Sequence, residues 1–173
     1  MLSQVIRYDG SMTSPSESAP LDGDELETWS ALATVLEWLP PVLDVQLQDG
    51  WNLTHFEFGV LYALATAEGR SLPMSTLAGF ANSTLSRLSR AVVRLEKRDW
   101  VRRSTDPEDR RVTIAWLTDS GAEVVASAAP AHADLVRRLV FDSLSAEQAM
   151  TLREISRSIA AAISDEGGWR PGR

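Results

Sequence analysis

Hydrophobic positions recur at helical spacing over most of this chain, with one stretch of strand-like alternation between. Leu26, Trp29, Leu32, Ala33 and Leu36 fall three and four apart and predict a helix from Asp24. Pro40-Pro41 interrupts or kinks it, since proline lacks the amide proton and its ring strikes the preceding turn. The pattern resumes with Val42, Leu43, Val45 and Leu47 and stops at Asp49-Gly50. Thr54-His55-Phe56-Glu57 has capping-box spacing and opens a second helix, whose buried face is Phe58, Leu61, Tyr62, Leu64 and Ala65. Glu68-Gly69-Arg70 ends it. A short helix follows from about Met74 to Phe80, then the polar turn Ala81-Asn82-Ser83. Asn82, Ser83 and Thr84 all favour the N-cap of the next helix.

The period then changes. Trp100 to Ser104 and Val112 to Leu117 read as two strands, joined by a charged turn over residues 105–111, and predict a two-stranded hairpin. Thr118-Asp119-Ser120-Gly121 caps a long helix to about Phe141, bent at Pro130. Ser145-Ala146-Glu147-Gln148 is a second capping box and opens a last helix through Leu152, Ile155, Ile159 and Ile163. Residues 1–22, rich in Ser, Pro, Asp and Gly, read as a disordered tail, and order ends again near Gly167-Gly168. The fold class is mainly α with a small β-hairpin wing.

Charge changes the picture most in the middle of the chain. The total is −7, which argues mildly against a nucleic-acid binder. Residues 83–111, however, hold nine basic residues against five acids, a local +4 that leaves −11 for the rest. Local fields matter more than the sum for meeting a polyanion. On a helix over residues 84–97, Leu85, Leu88, Val92 and Leu95 form an apolar seam. Arg87, Arg90 and Arg94 form a stripe about 200° from it, with Ser86 and Ser89 between. Arginine offers a fork matching a phosphate or guanine O6 and N7, and short hydroxyls let a backbone approach closely. A solvated helix face would explain the stripe alone. The short helix and turn before it, and the hairpin with Arg110 and Arg111 at its tip, instead spell a helix-turn-helix followed by a wing.

These residues resemble the MarR family of bacterial winged-helix regulators. The resemblance runs from about Trp29 to Ile163 and is carried by five pieces. They are Leu77-Ala78, Ser86-Arg87-Leu88-Ser89-Arg90, Arg94-Leu95-Glu96-Lys97-Arg98, Asp106-Pro107-Glu108-Asp109-Arg110-Arg111, and Leu117-Thr118 with Gly121. It implies a homodimer in which residues 23–50 and 119–165 are the helical dimerisation region and 51–118 the winged helix-turn-helix, with tails over 1–22 and 166–173. It implies double-stranded DNA with a pseudo-palindromic operator as partner. By position, Thr84, Ser86, Arg87, Ser89 and Arg90 would face the major groove and Arg94 a phosphate. Arg110 or Arg111 would enter the minor groove, with Asp109 orienting one of them. Asp99 departs from the family's usual glycine, and aspartate tolerates the left-handed conformation better than most residues. The resemblance also implies a small aromatic effector in a crevice that Trp29, Trp38, Trp51, His55 and Tyr62 are placed to line; core packing is their simpler role.

Other chemistry finds little support. With no cysteine there is no disulfide, thiol sensor or cysteine-held zinc. His55 and His132 are the only histidines, neither at ligand spacing, so no metal or other cofactor is expected. No nucleophile elbow or phosphate loop occurs, so an enzyme reading has no anchor. No membrane-length apolar run or secretory leader is visible, and a cytoplasmic protein is the expectation. The expected function is a dimeric, sequence-specific transcriptional regulator, a repressor released by a small ligand. The alternative is a helical protein-interaction module that uses the winged helix to hold an acidic partner.

Overall fold

A computed structural model of the chain describes residues 20–167; the rest of both expected tails lies outside the described residues. The order is α1 (Gly23–Trp51), α2 (His55–Thr66), β1 (Ser71–Pro73), α3 (Met74–Phe80), α4 (Leu85–Glu96), β2 (Val101–Thr105), β3 (Thr113–Leu117), α5 (Asp119–Val136) and α6 (Ala146–Gly167). The chain divides into two units after Glu37. In the first, the expected face of α1 is open, with Leu26, Trp29 and Leu36 all exposed. Pro40 and Pro41 do not end α1, which continues through both to Trp51. The carbonyls of Leu36 and Glu37 lose their usual donors there, and the turns on either side keep helical backbone. Beyond the prolines, Leu43 and Leu47 are buried.

The capping box at α2 is formed on both sides. The Thr54 hydroxyl accepts from the Glu57 N–H at 3.1 Å, and Glu57 Oε2 accepts from the Thr54 N–H at 3.0 Å. Leu61, Leu64 and Val60 of α2 are fully buried and pack with Leu77 of α3, Leu88 and Leu95 of α4, and Val125 and Ala128 of α5 in one core. Tyr62 stands half exposed rather than in the buried face.

The sheet has three strands where the alternation predicts two. β3 lies in the centre, antiparallel to β2 and to β1, with Ser71 opposite Trp116 and Pro73 opposite Ile114. A three-residue strand has no visible alternation, and Pro73 is tolerated because β1 is an edge. The bend from α4 into β2 turns on Asp99, at φ 59°. Thr118 and Ser120 each donate to the Asp99 carbonyl at 2.6 Å, so the residue in glycine's place is held from both sides. α5 carries Pro130 inside it and ends at Val136, short of the expected Phe141. Residues Arg137–Phe141 form one π-helical turn instead. The second capping box is present, the Ser145 hydroxyl accepting from the Gln148 N–H at 3.1 Å. Met150, Leu152, Ile155, Ile159 and Ile163 of α6 are all exposed.

Candidate nucleic-acid interface

α4 begins where the Thr84 hydroxyl accepts from the Arg87 N–H at 3.2 Å. Its buried face is Leu88, Ala91, Val92 and Leu95, whereas Leu85 is 53% exposed. The seam is therefore rotated from the one the leucine spacing suggests. Relative to Leu88, Ser86 and Arg90 each stand about 200° round the helix, but Arg87 only about 100°. The outward face carries Ser86, Arg90 and Lys97, all exposed, with Ser89 at its border. Leu85 lies only about 60° from Leu88 yet is exposed, because it sits on the first turn of the helix. Spacing alone had assigned it to the core, and no sequence signal separates the two.

Arg87 and Arg94 lean instead toward α2. The Arg87 guanidinium lies 4.2 Å from the centre of the Phe56 ring, a cation–π contact. Arg94 Nε donates to Glu57 Oε1 at 2.6 Å, and the Glu57 side chain is only 8% exposed. Burial alone would raise the Glu57 carboxyl. The Thr54 N–H, the Arg94 guanidinium and the Thr54 hydroxyl all donate to it and together hold it below the usual carboxylate value. Arg87, Arg90 and Arg94 line a cleft of about 540 Å³ together with Phe56 and Phe80. Further along, Arg98 donates to the Asn52 carbonyl at 2.8 Å and stacks on Trp100 at 4.4 Å. Arg103 pairs with Glu96 at 2.6 Å. Much of the positive charge in this segment thus has a partner within the chain, which composition does not reveal.

The wing turn is built by aspartates. The Asp106 carboxylate accepts from the Glu108 N–H at 2.8 Å, and the strand ends close through the Asp106 N–H to the Val112 carbonyl at 2.9 Å. Asp109 grips Arg111 with both oxygens, at 3.0 and 2.9 Å, and takes its backbone N–H at 3.0 Å. Those side-chain and backbone hydrogen bonds from Arg111 hold the Asp109 carboxyl below its usual value. Asp109 orients Arg111 and not Arg110, a choice the sequence leaves open. Arg110 is exposed and has no ion pair among the described residues.

The sequence of this winged helix matches the sequence model of the MarR family over residues 53–113. HosA, a transcriptional regulator of Escherichia coli O111:H-, is 32% identical over 111 residues, which cover 64% of this chain and 80% of HosA. The chain belongs to the MarR family. YdcH, an HTH-type transcriptional regulator of Bacillus subtilis, is 33% identical over 82 residues, 46% of this chain and 56% of YdcH. The crystal structure of Sco3205, a MarR family transcriptional regulator from Streptomyces coelicolor in complex with DNA, superposes with a TM-score of 0.82 at 42% identity. That match covers 86% of this chain and 93% of Sco3205. As a MarR-family member the chain is a transcriptional regulator and not an enzyme.

The residues named as effector-pocket candidates separate. His55 and Tyr62 line a cavity of about 750 Å³ with Phe58, Ala129, His132 and Val136. Trp51 stands at the edge of the core, its indole N–H donating to Ser127 at 2.7 Å. Trp38 is 72% exposed on α1. Trp29 lines a cleft at the start of α1 with Leu32 and with Leu21, which precedes the helix. His132, which the spacing did not single out, is buried, 5.2 Å from the His55 ring and 4.8 Å from Phe58. Among the described residues no cluster of three metal-ligating side chains occurs, and no helix is long and apolar enough to cross a membrane.

Proposed function

We propose that this MarR-family regulator is a homodimer that binds a pseudo-palindromic duplex operator and represses from it. One observation carries the reading. The outward face of α4 and Arg111, oriented by Asp109, are both carried by one packed winged helix, so a helix for the major groove and an arginine for the minor groove arrive together. Thr84, Ser86, Ser89 and Arg90 then meet the major groove, with Arg87 free to swing from Phe56 into it, and Arg111 the minor groove, where negative potential favours arginine. The dimerisation region is the open apolar faces, each in its own unit. Leu26, Trp29 and Leu36 of α1 and Leu152, Ile155 and Ile159 of α6 are exposed in one chain and need covering. A dimer seated on a promoter represses by excluding other proteins from it.

The test is fluorescence anisotropy of the purified protein on the promoter DNA beside its own coding region, against scrambled duplex, with sedimentation for the dimer. With six to ten phosphate contacts, affinity falls roughly 10³-fold or more between about 50 and 200 mM salt. Equal binding to both duplexes sinks sequence-specific readout. No binding at low salt shifts the weight to an acidic protein partner.

The effector site is the cavity beside His55 and His132, an apolar chamber for a small aromatic ligand with two imidazoles to hold its polar group. Burial holds both imidazoles below their usual value. The neighbouring His55 lowers His132 further, while Asp44 opposes burial at His55. The folded state therefore binds fewer protons than the unfolded state just below the ordinary histidine value of 6.5. Stability from this pair is present above that pH and is lost as pH falls through it. The melting midpoint should drop between about pH 7.5 and 5.5. His132→Gln, which cannot titrate, should flatten the profile. A parent profile as flat as the variant's would remove the pair from the account.

A further inference from the structure

The position of Arg94 on the helix marks it as a phosphate contact, and the structure gives it other work. Its guanidinium is held at 2.6 Å by a carboxylate that is itself almost wholly buried and fixed by the Thr54 cap. A second nitrogen reaches the Arg90 carbonyl at 3.4 Å, so the same side chain spans from α2 to the turn that carries Arg90. One turn later Arg98 donates to the Asn52 carbonyl, just before α2. The side of α4 facing away from the wing is thus tied twice to the start of α2.

We propose that Arg94 is a positioning residue, anchored by Glu57, that sets the angle of α4, and that it does not neutralise a phosphate. The proposal rests on the DNA-binding reading above. Its physical basis is an asymmetry. Moving Arg94 to a phosphate leaves the Glu57 carboxylate, only 8% exposed, with its Thr54 hydrogen bonds but no cation, and uncovering a buried charge costs more than an exposed phosphate contact returns. Glu57 also sits in the α2 turn that carries His55 and Phe58, both on the wall of the cavity assigned to the effector. A shift of that turn reaches α4 through the same pair.

The test is the slope of log affinity against log salt for the full chain, on the promoter duplex and on scrambled duplex. The parent, Arg94→Gln, Glu57→Gln and the double variant are compared, with melting curves for each. Arg94→Gln should lose about tenfold in promoter affinity with the parent's slope, because no counterion-releasing contact has been removed. Glu57→Gln keeps the capping box, since glutamine serves at that position, but sets Arg94 loose. Its discrimination between the two duplexes should fall about tenfold while its slope steepens by about 0.9 for each freed arginine, about 1.8 per dimer. The double variant should return to the parent's slope. If Arg94→Gln flattens the slope by that amount, Arg94 already holds a phosphate and the proposal is overturned. A Glu57→Gln protein that melts lower but keeps the parent's discrimination and slope overturns it too, since the pair would then serve stability alone. Failure of the DNA-binding reading looks different: the parent itself would show no binding to either duplex.

Discussion

Gly121→Ala should destabilise the fold by about 3 kcal/mol, lowering the melting midpoint by roughly 6–12 °C. A methyl group on Gly121 would press into the Trp100 carbonyl oxygen, 2.8 Å from Leu117 Cδ1 and 3.0 Å from the Trp100 carbonyl carbon. Two of those three neighbours are backbone and cannot rotate away. The glycine is where the first turn of α5 crosses the base of the wing. Its N–H donates to the Thr118 hydroxyl at 3.0 Å, and Thr118 and Ser120 hold the Asp99 carbonyl next to it. Pushing α5 outward therefore disturbs the cap, the left-handed turn at Asp99 and the root of β2 together. Gly59→Ala is the matched control. That site in α2 has nothing within 4 Å of an added methyl, so alanine should be neutral or stabilise by up to about 1 kcal/mol. Equal melting of the two variants would show that the close approach at Trp100 does not exist.

The helices and both capping boxes were legible because each rests on local chemistry: periodic apolar residues, a hydroxyl and an acceptor three residues on. What failed was what tertiary packing decides. β1 was invisible because its pairing with β3 is set from more than forty residues away. The proline pair read as a break or a kink, and α1 continues through it. In α4 the choice between Leu85 and Ala91 as the buried residue turns on where α2 lies, and small and large apolar residues look alike to a periodicity. The same limit applies to the arginines. Spacing placed Arg87, Arg90 and Arg94 on one stripe, and only the positions of Phe56 and Glu57 separate them. The aspartate at the wing was visible as a partner for an arginine, but two adjacent arginines have equal claim until the turn is built. His132 was missed as a cavity residue because its companion lies seventy-seven positions away, in another helix.

Arg111→Ala should weaken promoter binding by about 2–6 kcal/mol per dimer, roughly 30-fold to 10⁴-fold, since two wings each lose a groove contact of about 1–3 kcal/mol. Arg110→Ala, which removes a free surface cation, should instead weaken promoter and scrambled duplex alike and reduce the salt slope by about 1 per wing. Asp109→Ala decides between aiming and simple charge. Removing an acid beside a polyanion should strengthen binding if only net charge matters. Asp109 is what fixes the Arg111 guanidinium before DNA arrives, through two side-chain hydrogen bonds and one from the backbone. Its loss returns that arginine to many rotamers, and ordering them again is a cost that binding must meet. Weaker promoter binding by Asp109→Ala, with scrambled binding unchanged or stronger, would therefore mark Arg111 as a pre-aimed reader. Tighter binding to both duplexes would mean that the clamp competes with DNA for Arg111, and Arg110 would become the residue to place in the minor groove.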